Sequence, residues 1–205
     1  MVRTSDSIRA AVEELANREP AFGQVVERHG IPEPRKSDPG AHTLLRTIVG
    51  QQVSVAAARS MWSKLEAAYG SPPDLEAILE ASDEQLRAAG LSRQKAGYAR
   101  SLAGLVLSGE LDLAALPRDD EEAVELLTRI KGIGRWSAEI YLLFAEGRPD
   151  VWPAGDLAVQ VEIGRLLGLP DKPTEKHLRE LGVAWRPYRG AAAVLAWHSY
   201  NSAVL

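Results

Sequence analysis

Two glycines, Gly132 and Gly134, stand two residues apart between two amphipathic stretches, in the segment LTRIKGIGRWSA. Glycine lets the backbone adopt a positive φ and approach another surface closely. A helix that begins just after them offers unpaired amide N–H groups and the positive end of its dipole, and Lys131 and Arg135 flank this point. The arrangement suits a phosphate group bound without any reading of bases. A bare Gly-x-Gly is also typical of an ordinary tight turn between helices.

The charge distribution favours an anionic partner more than the net charge of −4 does. Residues 85–109 and 128–138 contain basic side chains and no acid, while the acids concentrate in 38–84 and 110–127. A local positive surface is sufficient for binding a nucleic-acid backbone, although runs of charge are often only solvated helix faces. On charge alone we therefore favour solvated helix faces.

The composition excludes several classes of protein. Cysteine is absent, which excludes disulfides, thiolate metal sites, a cysteine nucleophile and a Cys-ligated iron–sulfur cluster. No apolar run approaches the ~20 residues of a membrane span, and the N-terminal residues lack the apolar core of a secretion signal. The four histidines are scattered, so no catalytic metal site is predicted. We expect a soluble intracellular protein that does not contact a membrane.

The elements that position these residues are predicted to be helices throughout. Apolar residues recur at helical spacing and alternation with a period of two is nearly absent, which predicts an all-α protein of about ten helices. The first helix after the N-terminal region is predicted to open at Asp38 and Pro39, and Ser54 is predicted to cap the next. Further helices are predicted over 83–89, 93–107, 135–145, 156–168, 174–181 and 187–203, with another between Pro117 and Ile130.

Four ordered motifs resemble the helix-hairpin-helix DNA glycosylases, and most closely their 3-methyladenine DNA glycosylase II (AlkA) branch. They are the Gly132–Gly134 hairpin, the segment IVGQQVSVAAAR of 48–59, the segment RPDVWPAGDLAVQ of 148–160, and WRPYR of 185–189 followed by Trp197. The resemblance covers roughly 38–200. It implies a two-lobed fold, with a helical barrel lobe over 38–148 that contains the hairpin and a second lobe built from 1–37 and 149–205. The extra N-terminal β-rich domain of larger members is not expected.

The resemblance implies that Asp156 is the catalytic residue. A carboxylate facing the sugar would stabilise the positive charge that builds up as an N-glycosidic bond breaks. Asp156 follows Gly155 and precedes an apolar helix, so it is equally suited to be an ordinary N-cap. Asp150 is the rival carboxylate and has no helix to aim it.

The resemblance also places two tryptophans in a base pocket. Trp136 and Trp197 would form its aromatic walls, against which a cationic alkylated purine is attracted by the indole faces. Trp136 occupies the position of the lysine nucleophile of bifunctional relatives, which predicts hydrolysis without strand cleavage. Where the family often has a further pocket tyrosine this chain has Ile140, with Tyr141 adjacent to it. Both are counted among the predicted pocket residues, although Tyr141 should point about 100° away from Ile140 around the helix. The alternative for each aromatic residue is plain core packing.

Residues for gripping a duplex are predicted at three places. Gln52, with Gln51 beside it, matches the family's wedge, the side chain that fills the gap left by an extruded base; alternatively both only satisfy the turn after Gly50. Ser92, Arg93 and Lys95 are candidate phosphate contacts, or else solvated charges. Together with the hairpin, the predicted backbone contacts are Gly132, Gly134, Arg135, Lys131, Arg93 and Lys95. The resemblance further implies a monovalent cation between hairpin carbonyls and a DNA phosphate, and no other cofactor.

The resemblance implies a monofunctional glycosylase that excises 3-methyladenine and 7-methylguanine from double-stranded DNA containing damaged bases. Such a protein would be cytoplasmic, nucleoid-associated and monomeric. Two alternatives stay open. A non-catalytic module for recognising damaged DNA would use the same hairpin and wedge without needing an acid. The same class of enzyme could instead act on hypoxanthine or etheno-adducts, which are neutral and leave less readily than cationic bases.

Overall fold

The computed structural model describes residues 5–33 and 37–203, and the side chains of residues 9–33 and 37–202. Every regular element in these ranges is a helix: twelve α-helices and one 3-10 helix. The all-α prediction is thereby confirmed, with two α-helices more than the predicted ten. Within the same ranges, no helix is long and apolar enough to cross a membrane.

The chain divides into two compact units, one formed by residues 1–36 with 142–205 and the other by residues 37–141. The helices of the first unit are α1 (Ser5–Arg18), α2 (Pro20–His29), α10 (Leu157–Leu166), α11 (Glu175–Leu181), the 3-10 helix (Gly182–Trp185) and α12 (Arg189–Ala203). Those of the second unit are α3 (Ala41–Gly50), α4 (Val55–Tyr69), α5 (Leu75–Glu80), α6 (Asp83–Ala88), α7 (Arg93–Leu107) and α8 (Asp120–Thr128). Helix α9 (Arg135–Phe144) begins in the second unit and ends in the first.

Side-chain caps explain where several helices begin. Ser54 Oγ accepts from the Ala57 amide at the start of α4, as the sequence predicts, and Ser92 Oγ accepts from the Lys95 amide at the start of α7. The predicted opening of a helix at Asp38 is wrong. Helix α3 begins at Ala41, because Gly40 takes the N-cap position with a φ of 120° and makes no side-chain cap.

Three aromatic side chains form the centre of the core of the first unit. Trp185 packs edge-on against Phe22 and Trp152, with ring centroids 5.1 and 5.4 Å apart. All three are buried, and edge-to-face contacts of this kind add to the free energy gained by burying the rings. The Trp152 indole N–H also donates to the Leu178 carbonyl at 3.0 Å. This core therefore fixes the start of the loop that leads into α10.

Helix α7 supports two turns of the second unit with side chains from one of its faces. The Lys95 ammonium donates to the Val49 carbonyl at 2.7 Å, near the end of α3. Ser101 Oγ accepts from the Lys131 amide at 3.0 Å, and the Tyr98 ring lies directly beneath Gly132. Residues 95, 98 and 101 follow one another at spacings of three, so they share one side of the helix.

The structure gives Lys95 this structural role in place of the predicted phosphate contact. Lys95 is only 9% exposed, and burial lowers the pKa of its ammonium. Its neighbour Arg93, the first residue of α7, is exposed. A backbone carbonyl at a helix C-terminus has no partner within its own helix, and the lysine supplies one to Val49.

Replacing Lys95 with methionine removes the charged donor but keeps much of the apolar volume. We expect the Lys95→Met substitution to lower the free energy of unfolding by about 1–3 kcal/mol, because a buried carbonyl loses its partner. The exposed Arg93→Met variant is the matched control, expected within about 0.5 kcal/mol of wild type. Urea unfolding monitored by circular dichroism measures both. Equal stability of the two variants would contradict the role given to Lys95.

Candidate active site and nucleic-acid interface

The carboxylate of Asp156 is fixed by two donors on the same oxygen. Asp156 is the N-cap of α10, and its Oδ1 accepts from the Val159 amide at 2.9 Å. The Trp197 indole N–H, from α12, donates to the same Oδ1 at 3.1 Å. The structure therefore brings together two of the predicted site residues. It also gives Asp156 the capping role that the sequence left as the alternative, and capping and catalysis are compatible in one side chain.

The loop before Asp156 is held by hydrogen bonds along its length. The side-chain amide of Gln160 donates through Nε2 to the Ala154 carbonyl at 2.8 Å, and its Oε1 accepts from the Lys172 ammonium at 2.7 Å. Arg179 donates to the Trp152 carbonyl at 3.3 Å. A loop with its carbonyls bonded in this way keeps the carboxylate at its end in one position.

Asp150 occupies a different environment and forms an ion pair. Both of its oxygens accept from the Arg189 guanidinium, at 2.9 and 2.8 Å, and the Arg189 amide also donates to it at 3.3 Å. Their side chains are 21% and 15% exposed, respectively. This bidentate pair ties the start of α12 to the loop after α9. The geometry of Asp150 therefore suits a structural role.

Trp197 is half-buried within the first unit. Its ring lies against that of Phe144, with centroids 5.8 Å apart and planes inclined by 35°. The indole thus both packs against an aromatic neighbour and donates to Asp156. Three further tryptophans, Trp62, Trp152 and Trp185, are buried. Their burial agrees with core packing, the alternative that the sequence offers for each aromatic residue.

The hairpin between α8 and α9 has the close approach that its glycines predict. Gly132 has a φ of 86°, and a Cβ atom at this position would lie 2.2 Å from the Tyr98 ring. Gly134 is exposed, and a Cβ there would meet no atom within 4 Å. Only glycine fits the first position, whereas the second leaves open space in front of the N-terminus of α9.

The predicted wedge turn contains one strained residue. Gln52 is exposed and has a φ of 54°, a left-handed conformation that is uncommon for residues other than glycine. Such strain often marks functional positions. Gln51 does not share its role: the Gln51 side-chain amide donates to the Gly132 carbonyl at 2.7 Å and so ties the turn to the hairpin. Of the two predicted wedge residues, Gln52 is exposed, whereas Gln51 links the turn to the hairpin through its hydrogen bond.

The basic residues of the hairpin differ in their surroundings. Lys131 is exposed. Arg135 donates to Glu121 at 3.1 Å and to Glu139 at 3.4 Å, and its hydrogen bond to Glu121 is the main reason that its pKa is raised. A phosphate that approached Arg135 would share this guanidinium with two carboxylates. Among the described residues, no group of acids and histidines is arranged to hold a metal ion.

Three predicted pocket residues follow one another on α9. Trp136 is 47% exposed, an unusual exposure for a large aromatic side chain, and Ile140 is half-buried. Tyr141 is only 3% exposed, and its hydroxyl accepts from the Gly40 amide at 2.8 Å. The prediction that Tyr141 contributes to the base pocket is therefore corrected: its hydroxyl instead fixes the start of α3.

Two residues that support the site are not marked in the sequence. Tyr98 and Ser101 hold the hairpin, although neither belongs to a motif that suggests chemistry. Their spacing on their helix is the only available signal, and it does not reveal the backbone group that each one meets.

Comparison with known proteins places the chain in a family. The model of the HhH-GPD superfamily of base excision DNA repair proteins matches residues 45–187. DNA-3-methyladenine glycosylase 1 of Schizosaccharomyces pombe is 34% identical over 158 residues, which cover 75% of this chain and 69% of that protein. YfjP of Bacillus subtilis is 30% identical over 164 residues, covering 76% of this chain; the match spans only 57% of that relative.

Solved structures agree with this placement over nearly the whole chain. The 3-methyladenine DNA glycosylase of S. pombe, in complex with abasic DNA, is 30% identical with a TM-score of 0.78, and the alignment covers 96% of this chain and 97% of that one. A DNA-3-methyladenine glycosidase from Bacillus halodurans is 33% identical with a TM-score of 0.84, covering 95% and 90%. The chain therefore belongs to the HhH-GPD superfamily of base excision DNA repair proteins.

Proposed function

We propose that this chain is a monofunctional DNA glycosylase that releases alkylated purines, among them 3-methyladenine and 7-methylguanine, from duplex DNA. The observation that carries the proposal is the carboxylate of Asp156, held on one oxygen by the Val159 amide and the Trp197 indole. Membership of a base excision repair superfamily supports the reaction class. The names of the similar S. pombe and B. halodurans proteins support 3-methyladenine as a substrate.

In the proposed reaction the bond between the sugar C1′ and the base nitrogen breaks, and its electron pair leaves with the base. The sugar then carries an oxocarbenium-like positive charge, which the Asp156 carboxylate stabilises. Water adds to C1′ and loses a proton, leaving an abasic site and an intact strand. A cationic alkylated base departs readily because it leaves as a neutral molecule, so a single carboxylate is sufficient.

The base pocket is proposed to use Trp136 and Trp197 as its aromatic walls. Trp136 is 47% exposed, so part of its surface is accessible to a bound base. Attraction between a cationic purine and an indole face contributes roughly 0.5–2 kcal/mol, according to desolvation. Ile140 would supply an apolar contact without a hydroxyl, so the pocket would select alkylated purines by charge and shape.

The duplex is proposed to be held by the hairpin and opened at the wedge turn. The open space at Gly134 and the N-terminus of α9 would accept a phosphate, with Lys131 and Arg93 contributing positive charge. Gln52 would enter the gap left by the flipped nucleotide, where its amide can hydrogen-bond the unpaired base. The monovalent cation implied at the hairpin carbonyls stays a prediction.

The Asp156→Asn substitution tests the catalytic assignment. It keeps the shape and the cap but removes the negative charge, so we expect no detectable base release in single-turnover assays with methylated duplex DNA. Duplex affinity should stay within about tenfold, or ~1.4 kcal/mol, of wild type. The matched control is Asp150→Asn, which removes the other carboxylate of this region and should retain base release once circular dichroism shows it folded. Loss of release in Asp150→Asn alone would contradict the assignment.

The Trp197→Phe substitution tests whether the indole N–H positions the carboxylate. Phenylalanine keeps an aromatic wall but donates no hydrogen bond to Asp156. A hydrogen bond to a charged group contributes about 1.5–3 kcal/mol, so single-turnover release should slow by about 10- to 100-fold. Affinity for a duplex with an abasic site should stay unchanged. A release rate equal to that of wild type would contradict the positioning role.

Tryptophan at position 136 predicts that no covalent enzyme–sugar intermediate forms, because an indole cannot form a Schiff base. Incubation with methylated duplex DNA and borohydride should therefore trap no protein–DNA adduct. Strand breaks should appear only after alkali or heat. A trapped adduct, or nicking without such treatment, would show a lyase activity and contradict the monofunctional assignment.

A further inference from the structure

A pocket lies beside the wedge turn and is separate from the hairpin. Its volume is about 260 Å³, and it is lined by residues of α3, of the turn after Gly50 and of α4. Val53 and Val55, which line it, are 39% and 70% exposed. None of the hairpin residues 131–136 contributes to its walls. We refer to it as the α3–α4 pocket.

The α3–α4 pocket carries positive charge without compensating acids in its walls. Arg46 and Arg59 line it, and no acid occurs between Asp38 and Glu66 in the sequence. Glu66, which does not line the pocket, forms a long ion pair with Arg46 at 3.9 Å, and the Arg46 side chain stays 61% exposed. Arg59 is also exposed. The wall of the pocket is therefore positively charged, which favours an anion.

The floor of the pocket contains a buried donor. Trp62 is 6% exposed, and its indole N–H finds no acceptor in the described part of the chain. The Arg46 guanidinium lies 4.0 Å from the centre of its ring. The stacking of Arg46 on this ring holds one of the two arginines at the wall of the pocket.

We propose that the α3–α4 pocket binds the sugar–phosphate backbone of the DNA strand opposite the excised base. The proposal rests on the function proposed above and adds a second, strand-specific binding site to it. Phosphate oxygens would accept from Arg46 and Arg59. The apolar face of a deoxyribose would pack on Val53 and Val55.

The choice of strand follows from the position of the wedge. Gln52 belongs to the same turn as Val53, so a nucleotide facing the wedge tip lies close to this pocket. A wedge that enters the gap faces the unpaired nucleotide of the opposite strand. A cationic pocket at the wedge turn is thus placed for the strand opposite the excised base.

The experiment combines a protein variant with a change in the DNA. The variant Arg46→Ala/Arg59→Ala and wild type are each bound to a short duplex containing a tetrahydrofuran analogue of the abasic site. The phosphates nearest the lesion are replaced by uncharged methylphosphonates in one strand or in the other. With unmodified DNA we expect the variant to bind about 10- to 100-fold more weakly, with a salt slope reduced by about 1 to 2.

With methylphosphonates in the opposite strand, the affinity of wild type should fall. The affinity of the variant should not fall further, because the variant already lacks the two arginines that would contact those phosphates. With methylphosphonates in the lesion strand, the full penalty of the variant should persist. The matched control is Lys64→Ala, which removes a charge from α4 outside the pocket and should show the same affinity difference on all three duplexes.

Two outcomes would overturn the proposal: a penalty that disappears only with lesion-strand methylphosphonates, or no penalty on any duplex. Neither outcome bears on base release, which is measured separately on methylated DNA. If wild type releases no base but the strand-specific penalty is found, the proposed function fails while the binding site stands.

Discussion

The two hydrogen bonds that meet at Asp156 Oδ1 are the constraint on which the candidate active site depends. One comes from the first turn of α10 and the other from the middle of α12, so the carboxylate links two helices of the first unit. The surrounding structure serves the same end, because the Trp152–Trp185 core anchors the loop before it and Gln160 holds the Ala154 carbonyl. Electrostatic stabilisation is effective only when the charge needs no rearrangement during the reaction. A side chain that is both helix cap and indole acceptor meets this condition.

In the second unit, shared contacts support both the turn after Gly50 and the Gly132–Gly134 hairpin. Gln51 ties the wedge turn to the Gly132 carbonyl, and α7 carries Lys95 against α3 and Tyr98 beneath the hairpin. Gln52, the strained residue, lies between these fixed points. The cost of a left-handed glutamine, of order 1–3 kcal/mol, is tolerated because the flanking residues over-determine the turn. The proposed phosphate site and the proposed wedge are thereby held by the same set of contacts.

The sequence predicted the helical architecture, because apolar periodicity is a strong signal, and its motifs supplied the candidate site residues. Helix α5 and the two N-terminal helices were not predicted: α5 has only six residues, and helical spacing is weak over one and a half turns. Lys95 and Tyr141 were assigned to the DNA contacts and the base pocket by position, whereas the structure buries both against backbone groups. Periodicity gives the side of a helix on which a residue lies, but not the partner it meets there. For the same reason, the sequence could not distinguish the hydrogen bond of Gln51 to the hairpin from a role as the wedge.

In the proposed reaction, a fixed carboxylate drives loss of an alkylated base by hydrolysis. Its most direct test is chromatographic detection of the free base released by the wild-type protein from methylated duplex DNA, with enzyme in excess. We expect release of 3-methyladenine and 7-methylguanine, with one abasic site formed in an unbroken strand for each base released. Tight binding of the same duplex without any released base would contradict it and would leave a module that recognises damaged DNA.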